Sequence, residues 1–405
     1  MNDEELRAEF IKLAVKKKIQ SKEALEKLKR QFLQTKKAVI SLSGPNLLES
    51  YRQLVKSGDL IFNSAFHRLL VIKRMRTSSG VTPVAVLTKP YPCPGHCVFC
   101  PTEVGMPKSY LYGEPAASRA AQCDFDPQRQ VKLRLRTYKE IGQPSSKVEL
   151  IILGGSFTAY PESYQRHFIK DCFEACNRQK SSSLKLAQKQ NESAAHRLVG
   201  ITVETRPDLI TVETLKRLRG LGVTRMEIGV QSVFDSVLKK VHRGHTAADV
   251  ARATKLLKDF GFKVCYHMMV NLPGSTPAKD LATFKKIFDD SRFRPDLLKI
   301  YPCLVLKTAE LYHQFIIGKY KTYSEKRLIK LLADIKEIVP DYIRINRLGR
   351  DVPRNLVMAG YASSNIRELV QAEINHRGKK CRCLRCREIG QSDYSENVHL
   401  VIDEY

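Results

Sequence analysis

The chain is 405 residues long, with 69 Lys and Arg against 42 Asp and Glu and a formal charge of +27. A hydrophobic fraction of 43% excludes a disordered chain, and so large a positive surplus points away from a purely small-molecule enzyme, towards nucleic acid or an anionic membrane. No apolar run is long enough for a membrane span and Met1–Glu5 has no apolar signal-peptide core, so the sequence reads as a soluble, cytoplasmic protein with no membrane partner.

In chain order, Ala8, Phe10, Ile11, Leu13 and Ala14, then Leu25, Leu28, Phe32 and Leu33, recur at helical spacing. They predict two or three basic helices in a first region, 1–80. Its lysines (Lys16–Lys18, Lys36–Lys37) suit either a solvated helix face or RNA contact. From 81 to 305, short apolar runs alternate with amphipathic stretches. Strands are expected at Val84–Leu87, Val148–Leu153, Val199–Val203, Met226–Val230, Val264–Val270 and Leu297–Tyr301. Helices are expected around Gln128–Ile141, Glu162–Cys176, Leu209–Leu221, Ala247–Phe260 and Ala278–Phe288. This alternation belongs to the α/β class, a parallel sheet with right-handed crossovers. Six units make a partial (β/α)6 barrel of the TIM type, with working residues at the C-terminal ends of its strands. The polar stretch Gln179–His196 reads as an exposed insertion.

The last region, 306–405, predicts helices at Ala309–Ile317, Glu325–Val339 and Asn365–His376. Between the last two lies an Arg-rich passage of Arg344, Arg347, Arg350 and Arg354. A second cysteine cluster follows. The apolar run Val398–Tyr405 predicts a strand entering a further domain that the chain does not contain.

Eleven cysteines in such a chain argue for metal chemistry more than for disulfides. Cys93, Cys97 and Cys100 follow the first expected strand with spacing C-x3-C-x2-C. Three thiolates on one loop can hold three irons of a [4Fe–4S] cluster. The fourth iron is then open to the amino and carboxylate groups of S-adenosylmethionine, whose reductive cleavage releases a 5′-deoxyadenosyl radical. A zinc site with His96 as fourth ligand is the alternative. Gly154 and Gly155 end the second strand and let the backbone approach a ligand, plausibly the methionine amino group. Glu204 ends the third strand, Gln231 the fourth, and His267–Leu272 the fifth, all in register with the cysteine motif. Cys381, Cys383 and Cys386, with His376, form a set suited to one tetrahedral zinc, which would pin a short basic segment. The neighbouring Arg377, Lys379, Lys380, Arg382, Arg385 and Arg387 add to an RNA-facing surface. The other five cysteines read as small buried hydrophobes.

Taken together, Lys89–Pro101, Tyr112–Pro115, Lys147–Phe157, Glu204–Asp208, Glu227–Ser232, His267–Thr276, Ile343–Pro353 and Arg385–Gly390 resemble the radical S-adenosylmethionine superfamily. They resemble most closely the family of the catalytic subunit of Elongator and its single-chain bacterial and archaeal relatives. The resemblance implies a tRNA-modifying enzyme that turns the acetyl group of acetyl-CoA into the 5-carboxymethyl substituent of the wobble uridine. It implies an anticodon stem-loop as partner, an external electron donor, and a larger complex in some relatives. Lys147 matches a position that the family links to acetyl-CoA, although a solvated lysine is an equal reading. The family carries an acetyltransferase-type domain after the barrel, whose pyrophosphate loop this sequence does not show, so full turnover by the chain alone is not expected. The competing readings are another radical enzyme, such as a methylthiotransferase or a coproporphyrinogen-type oxidase, and a non-catalytic tRNA-binding fragment.

Overall fold

The structure, a computed structural model, describes residues 2–36, 40–71, 79–361, 363, 365–388, 400 and 402. Of the sequence expectations, Lys37, Ile389, Gly390 and the run Val398–Tyr405 apart from Leu400 and Ile402 lie outside the described residues. Two compact units form: one of residues 1–84, 132–148 and 195–197, the other of residues 85–131, 149–194 and 198–405. No described helix is long and apolar enough to cross a membrane.

Among the described residues of 1–80 there are four helices, Asp3–Lys16, Lys22–Lys36, Gly44–Lys56 and Ser64–Leu70, where the sequence predicts two or three. Asn2 starts the first with a capping box to Glu5, and Ser43 and Asn63 cap the third and fourth. The helices close on one apolar core. Within it Phe10 meets Phe32 edge-on at 5.3 Å, and Tyr51 meets Phe66 at the same distance. Lys16, Lys17 and Lys18 all remain exposed.

The strands are β1 (Val81–Leu87), β2 (Lys147–Leu153), β3 (Arg197–Thr205), β4 (Arg225–Gln231), β5 (Lys263–Val270), β6 (Leu297–Pro302), β7 (Val305–Leu306), β8 (Arg344–Leu348) and β9 (Val357–Ala359). One sheet has the order β1-β2-β3-β4-β5-β6-β8, and β7 pairs with β9 antiparallel. The pairs β3–β4, β4–β5, β5–β6 and β6–β8 are parallel. Helices Glu162–Asn177, Val212–Gly220, Ala247–Asp259 and Pro277–Asp289 lie between consecutive strands. Thr211, Thr246 and Thr276 cap the last three through their hydroxyls.

Two expectations need correction. The sheet has seven strands because the Arg-rich passage contributes β8: Ile345 and Leu348 are buried while Arg344, Asn346 and Arg347 are half-buried. Its arginines are also largely engaged. Arg344 pairs with Glu388, Arg347 with Asp351 and Arg350 with Glu114. The supposed exposed insertion contains a helix, Leu184–Asn191, that buries Leu184, Ala187 and Asn191. Its Asn191 side chain donates to Asn177 of the preceding helix at 2.6 Å, and within the stretch Ser181 donates to Gln190.

Candidate active site

The cysteine loop begins where β1 ends. Val98, between Cys97 and Cys100, is fully buried, and its backbone bonds to Val241 and Leu311 pin the loop. All three thiols are free. Burial, with Cys97 close by, pushes the Cys100 thiol up to about 11, so the loop needs a cation to carry three thiolates. Among the described residues, the three sulfurs are not one of the groups whose ligand atoms all lie within 4.8 Å. His96 is likewise not gathered with them. Two guanidinium groups border the loop. Arg243 Nη1 donates to Cys97 Sγ at 3.3 Å, and the Nη1 of Arg206 is buried with no hydrogen-bond partner among the described residues. Three free thiols beside two buried cations fit an anionic cluster.

Gly154 and Gly155 follow β2 with positive φ of 133° and 90°. A Cβ on Gly154 would run into Thr88 Oγ1, so glycine is required on both counts. Gln231 ends β4 in the left-handed region at φ 69°, with its Oε1 shielded from solvent and, among the described residues, unpartnered. Lys147 is the exposed first residue of β2, at the opposite end of that strand from Gly154.

Parallel register lines up charged residues across the strands. Glu204 stands beside Glu227, Glu227 beside Cys265, and His267 beside Lys299, which neighbours Arg347. The Lys299 ammonium bonds Glu227 and lies 4.0 Å from Glu204. His267 Nε2 is 2.9 Å from the same Glu227 oxygen. Burial alone would raise Glu227, but Lys299, then His267 and Arg225, outweigh it and hold the carboxylate below its usual range. Glu227, Cys265 and His267 have metal-ligand spacing. The cation there is already Lys299, and burial pushes the Cys265 thiol up, which keeps it protonated. Tyr110 donates to Glu204 at 2.8 Å, and Arg350 lies 5.4 Å over its ring. Burial and then Glu204 raise the Tyr110 phenol well above its ordinary value, so it stays a donor.

Sequence reasoning missed Lys299, Tyr110 and Arg243. A signal existed for the first: a lone lysine inside the apolar run Leu297-Leu298-Lys299-Ile300. Nothing local marked the other two.

In the second cysteine group, the sulfurs of Cys381, Cys383 and Cys386 all lie within 4.8 Å of one another. Thiols of Cys381 and Cys386 and the backbone amides of Cys386 and Ile345 bond the Cys383 sulfur and lower its pKa. That is single-ion spacing. His376, the last residue of helix Ile366–His376, is not in the group. The basic neighbours are partly engaged as well. Arg377 bonds Asp334, Glu373 and Glu337 at 2.6, 2.9 and 3.0 Å, and Arg382 bonds Asp341 at 2.6 Å.

The profile of the Radical SAM superfamily matches residues 91–287, and that of the radical SAM C-terminal domain matches residues 295–376. The chain is 48% identical over 318 residues to the tRNA uridine(34) acetyltransferase of Dehalococcoides mccartyi, covering 78% of this chain and 69% of that protein. It is 39% identical over 343 residues to Elongator complex protein 3 of Danio rerio, covering 81% and 62%. Among solved structures, the archaeal Methanocaldococcus infernus Elp3 with an N-terminal deletion superposes with a TM-score of 0.69. Its sequence is 40% identical, with 77% of this chain and 66% of that one covered. The chain thus spans about two thirds of the length of these relatives.

Proposed function

The chain belongs to the radical SAM family of tRNA uridine(34) acetyltransferases and Elongator complex protein 3, and on that footing we propose that it modifies the wobble uridine of tRNA, building a 5-carboxymethyl group from acetyl-CoA. The observation that carries the reading is the free-thiol loop Cys93, Cys97 and Cys100 at the C-terminal end of β1, flanked by two buried guanidinium groups and by the Gly154–Gly155 turn. Bound there, a [4Fe–4S] cluster and S-adenosylmethionine supply a 5′-deoxyadenosyl radical.

The residues of the chain do the rest. Gly154 and Gly155 open the backbone for a ligand, and Gln231 offers a shielded carbonyl oxygen without a partner. Glu204, Glu227, His267 and Lys299 form a fixed polar lining on which a base and an acetyl group can be oriented away from water. Unstacked anticodon-loop bases can be splayed into such a pocket. Exposed lysines such as Lys16, Lys17 and Lys18, in a chain whose formal charge is +27, suit the phosphates of an anticodon stem-loop. An external one-electron donor and a cytoplasmic setting complete the reading, and a larger assembly is an option as in Elongator. Acetyl-CoA handling draws on Lys147 in this proposal. Cys381, Cys383 and Cys386 hold one structural zinc, with a fourth ligand other than His376.

Anaerobic reconstitution with iron and sulfide, followed by assays for 5′-deoxyadenosine and for modified wobble uridine in added tRNA, tests the reading. Wild type should cleave S-adenosylmethionine, and Cys97→Ala should lose both the brown chromophore and cleavage. Cleavage retained in that variant would overturn it.

A further inference from the structure

Arg243 is 7% exposed, and among the described residues no carboxylate lies within 4.0 Å of it. A buried guanidinium keeps its charge at any working pH and is costly to bury without a counter-charge. Its Nε and Nη2 bond the carbonyl of Gly229 at 3.2 and 2.5 Å, which leaves Nη1 for Cys97 Sγ at 3.3 Å. The strand bulge between Ile228 and Gln231 frees that carbonyl from the sheet. Arg206, 4% exposed, stands behind. Asp208 holds its Nε at 3.0 Å and the Arg243 carbonyl holds its Nη2 at 2.7 Å. Among the described residues its Nη1 has no hydrogen-bond partner, and it lies against Gly95, beside the Cys93 sulfur. Side chains on Gly229 or Gly95 would collide with these two guanidinium groups, so both glycines make room for them.

We infer that Arg243, assisted by Arg206, is the electrostatic clasp of the cysteine loop, and that it sets the reduction potential of the cluster held there. The inference rests on the cluster assignment made above. The missing counter-charge of Arg243 is then the Cys97 thiolate. One electron from an external one-electron donor adds one negative charge to the thiolate-bound cluster, and no proton moves, because guanidinium does not titrate. Fixed cations and hydrogen bonds at the ligand sulfurs favour the more negative state. Arg243 and Arg206 are positioning residues in this scheme and touch no substrate.

The test is an EPR-monitored redox titration of the full reconstituted chain, with dithionite as reductant and no S-adenosylmethionine. In Arg243→Gln the ratio of reduced to oxidised cluster at a fixed potential should fall about tenfold or more, a midpoint about 59 mV lower for one electron. Arg243→Lys, which keeps the charge but not the fork, should shift less, and Arg206→Gln should shift in the same direction. An unchanged midpoint in an Arg243→Gln protein of full iron content overturns the inference. If that variant holds no cluster, an unchanged midpoint in Arg206→Gln does so instead. A cluster that survives Cys97→Ala would refute the assignment of the loop itself, whatever the potentials.

Discussion

Replacing Lys299 with Met removes the one cation that two buried carboxylates share. The Lys299 side chain is 12% exposed, that of Glu227 1% and that of Glu204 11%, so solvent screens them weakly. At the 4.0 Å separation from Glu204, one pair of unit charges at an effective dielectric of 20 is worth about 4 kcal/mol. Glu227 is in direct contact. Against this stands the desolvation of the ammonium, which the variant no longer bears. Measured one-sided losses of buried pairs run at about 3–5 kcal/mol, and we expect about 3 kcal/mol at pH 7. Wild-type Glu227 has a depressed pKa, so its contribution is full above its ordinary 4.5 and disappears only as pH falls towards its lower folded value. The assay is guanidinium unfolding of Lys299→Met, Glu227→Gln and the double variant, compared by midpoint at constant slope. The double variant should recover roughly half of the loss, because it deletes the stranded charge as well. A Lys299→Met loss below about 1 kcal/mol, or a double variant no more stable than Lys299→Met, would show that the pair does not carry the stability reasoned here.

Metal analysis should find about one zinc per chain, lost on joint replacement of Cys383 and Cys386 by Ser and kept in His376→Ala; zinc lost from His376→Ala would restore the imidazole as a ligand. His245 is buried, and burial, then Arg243 and Arg206, push its pKa down to about 3 from 6.5. The unfolded chain takes up the proton first, so stability should fall by about 1.4 kcal/mol per pH unit as pH drops below 6.5, a slope that His245→Gln should lack in unfolding curves. Binding of tRNA should weaken by about tenfold or more between low and physiological salt. Reversal of Lys16, Lys17 and Lys18 to Glu should weaken all tRNAs about equally in gel-shift titrations; full binding by the reversed protein would remove that helix end from the RNA surface.

The chemistry of this protein was most legible where it is local in the chain. Cys93, Cys97 and Cys100 fall within eight residues, and their chelating geometry needs only a loop after a strand. Runs such as Val148–Leu153 and Met226–Val230, each with one glutamate among apolar residues, declared their strands by composition, because strands buried or half-buried along their length are mostly apolar. Gly154 announced a backbone that no side chain could share.

Position in three dimensions decided the rest. The Arg-rich passage became β8 because Ile345 and Leu348 found a core beside β6, and their burial outweighs the solubility of Arg344 and Arg347. The helix at Leu184–Asn191 formed in a polar stretch because Leu184 and Ala187 had a surface to bury against. His376 has the right spacing for zinc yet stands outside the sulfur group, since helix Ile366–His376 sets where its imidazole goes. Arg243 lies 146 positions from Cys97 in sequence and 3.3 Å from it in space. No window of residues contains that contact, because charge neutralisation in a buried site depends on distance through the fold and not along the chain.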